Sequence, residues 1–306
     1  MKKKVLAMTL TAMMGVSLLA GCGSASSSAA ASGSASAAEE TSAASSAAST
    51  TSEAGSSATD EASATSTASA DSDLAYVQGQ GKLVVGITDF EPMDYKDESG
   101  NWIGFDADLA KAFAESIGVE AEFVEIDWDN KILELDGKTI DCVWNGMTLT
   151  DEVKNSMSCT NAYLNNAQIV VVPADKADQY QTEDSLKDLN FAVEAGSAGE
   201  AVATEKGFNA TPVKAQSDAL MEVAAGTSDA AIIDSLMAAA MVGEGTGYEN
   251  LTYTIGLSTE EYGVGFRQGS DLTDALNDFL KTSSADGTLE KIAETYGVQA
   301  ALVDQQ

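Results

Sequence analysis

The chain has 306 residues, a net charge of −32 and no histidine. This acidity excludes nucleic acid and anionic lipid surfaces as binding partners, because both repel a strongly negative protein. The lack of histidine excludes catalytic triads, general bases and zinc sites that depend on an imidazole. The three cysteines are too few for a disulfide framework, and the sequence leaves open whether Cys142 and Cys159 are free or bridged.

Residues 1–21 have the pattern of a secretory signal peptide. Lysines at 2–4 precede an apolar stretch, 5–20, which is short for a membrane span. The stretch leads through small residues into Cys22 and resembles a bacterial lipobox, although an ordinary signal peptide followed by a chance cysteine is the alternative. We expect Cys22 to be lipidated and to begin the mature chain, whose charge becomes −35 once the three lysines are lost from −32.

Lipidated Cys22 is followed by a Ser/Ala-rich segment that extends to residue 73. Between 23 and 73 there is no basic residue, and the first Leu, Ile, Val or aromatic side chain is Leu74. A chain without apolar side chains to bury cannot offset the entropy lost on folding. The alanine runs favour helix, but the serines and threonines between them do not. We therefore expect 22–73 to be a disordered linker that holds the folded part away from a membrane.

About 230 residues remain, enough for two lobes of ordinary size. Strand 82–87 precedes a helix that is predicted to have Asp106 as its N-cap and to stop at Gly118. After it, β-rich and helical runs alternate, and two helices close the chain within 271–296. This rhythm predicts an α/β architecture rather than a barrel or a sandwich. The other predicted strands are 119–126, 139–144, 168–172, 190–194 and 230–233, and the other predicted helices are 132–135, 200–206 and 219–225.

Several predicted strands end in small, polar or aromatic residues. In open α/β sheets, ligands bind beyond the carboxyl ends of the strands. We therefore expect these strand ends to line a cleft between two lobes. They are 88–90, 145–148, 194–197 and 234–235.

Seven short segments between 76 and 298 form a recognisable series. In chain order they are Leu83-Val-Val-Gly with Phe90-Glu-Pro-Met, Gly104-Phe-Asp-Ala-Asp-Leu-Ala110, Ile140-Asp-Cys-Val-Trp-Asn-Gly-Met-Thr-Leu-Thr150, Ala192-Val-Glu-Ala-Gly-Ser-Ala-Gly199, Gly226-Thr-Ser-Asp-Ala-Ala-Ile-Ile-Asp234, Tyr262-Gly-Val-Gly-Phe-Arg267 and Asp286-Gly-Thr-Leu-Glu-Lys-Ile292. Each alone is a weak signal. Together they resemble the amino-acid-binding family of ABC-importer solute-binding lipoproteins, bacterial extracellular solute-binding protein family 3, with the glutamine- and histidine-binding periplasmic proteins among its members.

The resemblance implies a periplasmic-binding-protein-like fold, in which two α/β lobes are joined by two crossing hinge strands. Lobe 1 would comprise 74–170 and 256–306, and lobe 2 would comprise 171–255. An amino acid, polar or basic by preference, would bind between them and favour hinge closure. The protein would sit on the extracytoplasmic face of the cell membrane as a monomer and deliver the ligand to an ABC permease with its ATPase. It would need no cofactor and no metal.

The family pattern also assigns residues in the first lobe to the ligand. Phe90 and Trp128 occupy the positions of aromatic walls that sandwich the ligand side chain, where a cation also gains cation–π attraction. Asn145, Gly146 and Thr148 match the segment whose backbone and hydroxyl groups hold the α-amino and α-carboxylate groups. As ordinary alternatives, the aromatic residues would be core.

In the second lobe, Ser197 and Ala198 match a carboxylate-binding turn at a helix start, where free N–H groups suit an anion. Asp234 matches the aspartate that pairs with the α-ammonium. Glu194 stands where glutamine-binding relatives have a lysine, and it would favour a cationic or donor group on the ligand. Simple helix or strand capping is the alternative for the serine and for Asp234.

One position departs from the family. An arginine that forks onto the ligand carboxylate is usual three residues after Thr150, but this sequence has Val153 there. Arg267, the only arginine, lies in a segment that looks structural. Lys154 could substitute if the helix turn is rotated, although a lysine does not offer the planar fork of an arginine and could equally be a solvated surface residue. Otherwise N–H groups at the helix starts hold the carboxylate, or the ligand is not a standard α-amino acid.

Two other classes of function remain as alternatives. A cleft enzyme of the cyclohexadienyl dehydratase type would need an acid or base, for which Glu194, Asp234 and Lys154 are the candidates. An extracellular amino-acid sensor would need a membrane span after the folded part. The identity of the amino acid is not readable from these residues.

Overall fold

A computed structural model describes residues 72–305. The predicted signal peptide 1–21, Cys22 and nearly all of the linker lie outside the described residues. The strands are β1 (Lys82–Ile87), β2 (Tyr95–Lys96), β3 (Trp102–Ile103), β4 (Glu120–Glu125), β5 (Cys142–Thr148), β6 (Ser158–Cys159), β7 (Leu164–Asn166), β8 (Gln168–Pro173), β9 (Asn190–Glu194), β10 (Asn209–Val213), β11 (Ala230–Asp234), β12 (Leu251–Gly256) and β13 (Glu260–Phe266). The α-helices are α1 (Asp73–Gln80), α2 (Phe105–Ser116), α3 (Lys131–Asp136), α4 (Asp151–Ser156), α5 (Ala198–Lys206), α6 (Gln216–Ala225), α7 (Ser235–Met241), α8 (Leu272–Asp286) and α9 (Thr288–Tyr296).

The strands form two mixed sheets and a small hairpin of β2 and β3. The first sheet has the order β4-β1-β5-β13-β6, and β7 also pairs with β13. In it β1 is parallel to both neighbours, whereas β13 runs antiparallel to β5. The second sheet has the order β10-β9-β11-β8-β12, with β9 parallel to both neighbours and β8 antiparallel to both of its own. Parallel neighbours joined by helices are the arrangement expected from the alternating sequence pattern.

The chain passes between the sheets twice. It leaves the first sheet after β7 and enters the second with β8, so Ala167 is the first crossing point. It returns at 257–259, between β12 and β13, and the Leu257 N–H donates to the Gln168 carbonyl at 2.7 Å, which ties the crossings together. The two-lobe α/β fold with two crossing strands is thus confirmed. The limits of 74–170 with 256–306 and of 171–255 stay a prediction.

Each sheet is buried by apolar side chains that point from its strands towards helices. Alternate residues of β1, including Leu83 and Val85, are fully buried. They meet the apolar face of α2, where Leu109 and Phe113 are also fully buried. Burying each such side chain contributes about 1.5–3 kcal/mol to folding. Among residues 72–305, no helix has both the length and the apolar character required to cross a membrane.

The structure corrects two local predictions. Gly104, not Asp106, is the N-cap of α2, since its φ of 127° suits glycine and a Cβ there would overlap the Met93 carbonyl. Strand β5 was predicted at 139–144, but it runs through Asn145 and Gly146 to Thr148 because β13 pairs with it there. The sequence pattern also missed β10, β12 and β13.

Candidate ligand-binding cleft

A cavity of about 270 Å³ lies between the carboxyl-terminal ends of the two sheets. Strand β5, the loop after β1 and the start of α3 line one side, and the ends of β9 and β11 with the start of α5 line the other. Nine of the ten predicted ligand-binding residues line this cavity together. They are Phe90, Trp128, Asn145, Gly146, Thr148, Glu194, Ser197, Ala198 and Asp234.

Lys154 is the predicted residue that the structure does not bring to the cleft. Helix α4 turns Val153 towards the cavity, and Lys154, one residue on, lines a separate depression with Asn165 and Glu261. Neighbouring helical residues point about 100° apart. Substitution of the family arginine by Lys154 would have required a rotated turn, and α4 is not rotated in this way.

The two aromatic side chains form walls of the cavity, as their positions predicted. Phe90 is 2 % exposed and packs edge-on against Tyr262, with ring centroids 6.5 Å apart. Gly146 makes room for this ring, because a Cβ on Gly146 would lie 2.6 Å from Phe90 Cε1. Gly146 also has a φ of 53°, which favours glycine.

The polar groups of β5 are largely engaged within the protein. The Asn145 side chain accepts from the Thr88 N–H and hydroxyl and donates to Asp94 Oδ2 at 2.8 Å. The Gly146 N–H donates to Asp106 Oδ2 at 2.6 Å. These bonds fix the strand below the cavity, so the Asn145 amide and the Gly146 N–H are already committed to order β5.

Asp106 is a buried residue whose carboxyl group holds β5 in place. Tyr163 donates its hydroxyl to both oxygens of the carboxyl group at 2.9 Å. Burial raises the pKa of Asp106 to about 6, against the hydrogen bonds from Gly146 and Tyr163, which favour the ionised form. The sequence pattern read Asp106 as a cap, but its role is to hold the central strand of the site.

Asp234 lies at the end of β11 in the wall of the cavity and is 3 % exposed. Amide groups of Asn166, Gln168 and Gln216 donate to its carboxylate, the Gln168 bond being 2.7 Å long. Burial and the nearby Glu260 carboxylate raise the pKa of Asp234 well above its usual range. An ammonium group delivered to this wall would stabilise the charged form.

Glu260 was not anticipated from the sequence. It begins β13, at the second crossing, and accepts from Asn166 at 2.7 Å, from Gln168 at 2.8 Å and from the Thr148 hydroxyl at 2.8 Å. It therefore shares two amide donors with Asp234 and joins the crossing strands to β5. Its position directly before the Tyr262 motif was the only available signal.

Glu194 ends β9 and is 3 % exposed in the cavity wall. Among residues 72–305, its Oε1 has no hydrogen-bond partner. Burial raises the pKa of Glu194 to about 8, partly offset by the positive charge of Lys131 and by Gln216 and Thr88. A buried carboxylate oxygen without a donor is unfavourable, and a ligand donor would satisfy it.

Lys131 is a second residue that sequence reasoning missed. It is 8 % exposed, lines the cavity and donates from Nζ to the Gly196 carbonyl at 2.8 Å and to the Trp128 carbonyl at 3.2 Å. Its Nζ also lies 5.0 Å from the Trp128 ring centroid. The sequence did hold a usable signal, because Lys131 follows Trp128 by three residues and residues i and i+3 lie on the same face of a helical turn.

The two sides of the cleft approach each other at Gly196. A Cβ on Gly196 would lie 2.7 Å from Asp129 Cα, so glycine allows this contact. Lys214 adds a bridge at the rim, where its Nζ is 3.4 Å from Glu125 Oε1. With the Lys131–Gly196 bond, these contacts describe a closed cleft.

Two helix starts reach the cavity with their caps already formed. Thr150 Oγ1 accepts from the Val153 N–H at 3.2 Å and Ser197 Oγ accepts from the Glu200 N–H at 3.1 Å, so these two residues are the N-caps of α4 and α5. The Ser197 hydroxyl is thus a cap, and the first N–H groups of α5, from Ala198 onward, point towards the cavity end of the helix. They provide partial positive charge on that side.

Arg267 is structural, as the sequence suggested. Its guanidinium pairs with Asp73 and Asp141, at 3.1 Å in each case, and donates to the Ile140 carbonyl at 2.9 Å. Both cysteines, Cys142 and Cys159, are free. Among residues 72–305, no group of three or more acidic or cysteine side chains is arranged to hold a metal ion.

The sequence and the fold match known proteins over most of the chain. The family model of the bacterial extracellular solute-binding proteins, family 3, matches residues 83–299. The arginine-binding extracellular protein ArtP of Bacillus subtilis is 32 % identical over 228 residues, which cover 71 % of this chain and 87 % of that protein. The L-cystine-binding protein TcyJ of Escherichia coli is 28 % identical, over 72 % of this chain and 84 % of that protein.

A solved structure gives the same result. An ancestral amino acid-binding protein, described as a precursor of cyclohexadienyl dehydratase, superposes with a TM-score of 0.68 and 32 % identity, covering 74 % of this chain and 99 % of that one. The named relatives are amino-acid-binding proteins, not enzymes. By sequence match and by fold, the chain belongs to the bacterial extracellular solute-binding proteins of family 3.

Proposed function

We propose that this protein is the lipid-anchored substrate-binding component of an ABC importer and that it captures a polar or basic amino acid in the cleft. Asp234 receives the α-ammonium group, Phe90 and Trp128 enclose the side chain, and Thr148, Ser197 and Ala198 contribute to the polar ends of the ligand. The closed molecule then docks on a membrane permease that a cytoplasmic ATPase drives. We expect it to act as a monomer.

The observation that carries this proposal is the state of Asp234. Its carboxylate is buried and shares amide donors with Glu260, and burial and the Glu260 carboxylate raise its pKa well above the usual range. An ionised carboxylate buried beside a second carboxylate is costly, and an α-ammonium group supplies the opposite charge that favours it. The adjacent aromatic walls add apolar burial for a side chain.

A basic preference is supported by Glu194. Glu194 lines the same cavity as Trp128 and its Oε1 has no partner among the described residues, so a guanidinium, ammonium or amide N–H group that lies against the ring is suited to donate to the carboxylate. One relative is an arginine-binding protein and another is an L-cystine-binding protein. Arginine and cystine both carry a polar group at the end of the side chain that is remote from the α-carbon.

A thermal-shift screen of the purified protein against the common amino acids, ornithine, citrulline and cystine tests the proposal, because a ligand that binds the native state raises the unfolding midpoint. Calorimetry then compares Asp234→Asn with Asp188→Asn, which changes an exposed aspartate. Loss of a charge-assisted hydrogen bond of about 1.5–3 kcal/mol predicts at least tenfold weaker binding for Asp234→Asn alone. No stabilisation by any amino acid, or unchanged binding by Asp234→Asn, would contradict the proposal.

The membrane anchor is tested separately. The wild-type protein should fractionate with membranes and incorporate labelled fatty acid. Cys22→Ala should do neither, because it removes the thiol to which the lipid is attached. A soluble wild-type protein would contradict lipidation without bearing on ligand binding.

An enzymatic role on the same fold has one supporting observation. Because Glu194 has a pKa of about 8, it carries a proton at neutral pH in the closed cleft and could serve as a general acid. Incubation with cyclic dienyl carboxylates, followed by mass spectrometry for loss of water, tests this alternative. Turnover that depends on Glu194 would favour the enzyme over the carrier.

A further inference from the structure

The α-carboxylate of a bound amino acid needs a cation that position 153 does not supply. Val153 lines the cavity where the family resemblance implies an arginine. Arg267 is occupied by Asp73 and Asp141, and Lys154 lies in another depression. Within the described range 72–305, Lys131 is the one lysine or arginine that lines the cleft cavity.

Lys131 lies close to the groups that a carboxylate would use. Its Nζ is 2.8 Å from the carbonyl of Gly196, two residues before Ala198 and the first N–H groups of α5. Burial lowers the pKa of Lys131, and the Glu152 carboxylate is the charge that opposes this most; Glu152 also lines the cavity and adjoins Val153 at the start of α4. Lys131 thus lines the same cavity as Val153 and the starts of both helices.

The hydrogen bonds of Lys131 leave capacity for a ligand. An ammonium group has three donors, and two of them go to the carbonyls of Gly196 and Trp128. In the part of the chain that the structure describes, no carboxylate forms an ion pair with Lys131. The direct acceptors of Lys131 are neutral carbonyls, while the carboxylates of Glu152, Glu194, Asp129 and Glu200 act on it without an ion pair. An anion in the cavity would give its third N–H a charged acceptor.

The same cavity carries a separate sign of an absent ligand. Glu194 Oε1, itself buried, has no partner among the described residues and lies in the opposite wall. Among the described residues, Lys131 and Glu194 line the same cavity without forming an ion pair with each other. An amino acid carries a carboxylate and an ammonium group on its α-carbon. One ligand can therefore bind Lys131 through its carboxylate and the carboxylates of the other lobe through its ammonium group.

We infer that Lys131 binds the α-carboxylate of the ligand in this protein, in place of the arginine that the family has at position 153, and that it determines the preference for free amino acids over derivatives without that carboxylate. The inference rests on the proposed function, since it assigns a group in the same cleft. A single lysine donor gives a point contact, which helix N–H groups at Ala198 complement.

The experiment measures dissociation constants by calorimetry for L-arginine and L-glutamine and for their carboxamides, L-argininamide and L-glutaminamide. In the wild-type protein, the free acid of whichever pair binds should bind at least tenfold more tightly than its amide. Lys131→Met should reduce this acid-to-amide ratio at least fivefold, and Lys131→Arg should largely keep it. Lys154→Met, the matched control outside the cleft, should leave the ratio unchanged.

An unchanged ratio in Lys131→Met, or a ratio lost in Lys154→Met, would overturn the inference while amino-acid binding stands. If Lys131→Met does not fold, Lys131→Gln keeps an N–H donor for Gly196 without the charge and should show the same reduced ratio. If neither pair binds, the same measurement is made with the amino acid found by the thermal-shift screen and with its carboxamide. If that screen finds no ligand, the proposed function itself fails, and this inference fails with it.

Discussion

Glu194 makes the choice between a basic and a neutral ligand depend on pH. We compare L-arginine with L-citrulline, which has nearly the same shape but no side-chain charge. In the closed cleft, burial holds the pKa of Glu194 at about 8, while Lys131 and the hydrogen bonds of Gln216 and Thr88 oppose this rise and Asp218 adds to it. A guanidinium beside Glu194 favours the ionised carboxylate, whereas a urea group leaves the proton in place.

The sign and size of the effect follow from proton counting. Below pH 8 the citrulline complex carries one proton on Glu194 that the arginine complex does not, so rising pH favours the arginine complex. The ratio of the two dissociation constants should change by up to about tenfold per pH unit and level off above pH 8. Between pH 6 and pH 8 the limit is about 100-fold, or about 2.7 kcal/mol. Taking the ratio of the two dissociation constants removes any proton effect that both complexes share, including that of Asp234.

Isothermal calorimetry at pH 6, 7, 8 and 9 measures both constants directly. In Glu194→Gln the ratio should be nearly independent of pH, and arginine should lose its advantage at pH 8. A wild-type ratio that stays constant from pH 6 to pH 8 would refute the reasoning, as would an equally steep rise in Glu194→Gln.

Three further changes test the scaffold. Gly146→Ala should displace the Phe90 ring and weaken both binding and folding, the latter by about 1–3 kcal/mol in urea unfolding, because the new Cβ would lie 2.6 Å from that ring. Asp106 has a folded pKa of about 6, above its usual 3.8, so its contribution to stability is full below pH 4 and is lost as pH rises to 6. The free energy of unfolding of Asp106→Asn should therefore rise by up to about 3 kcal/mol relative to the wild type as the pH increases from 4 to 6. Urea unfolding at pH 4 and pH 7 measures this change. An equal difference between the two proteins at both pH values would contradict the prediction. Arg267→Met should destabilise the fold by about 3–5 kcal/mol, since it leaves the buried Asp141 and the partly buried Asp73 without their cation. Calorimetry should show that the folded variant keeps its ligand affinity.

The sequence predicted the parts of the site that follow from strand ends. Glu194 and Asp234 each end a short apolar strand, and the parallel pairing of β9 with β11 brings these ends together in one wall. Local patterns were sufficient here because side-chain placement was set by the strand itself. Trp128 was placed instead by its match to the position of a second aromatic wall in the family.

Residues that act across the fold could not be placed in this way. Lys131 reads as the first residue of a helix, and its contact with Gly196 spans 65 positions. Asp106 has the composition of a helix cap, yet its partner is a strand 40 residues later. Glu260 belongs to a return strand whose alternation was too weak to recognise. In each case the partner is a tertiary neighbour, which periodicity does not encode.

The contact between the Gly196 backbone and Asp129 limits how closely the two sides of the cleft can approach each other. The added methyl group of Gly196→Ala would lie 2.7 Å from Asp129 Cα and would keep the two sides of the cleft apart, although neither residue is assigned to the ligand. Such a variant would still bind the ligand to the residues of one lobe. It would not reach the closed conformation that the proposed permease recognises. If the protein serves an importer as proposed, uptake would then stop at delivery rather than at capture.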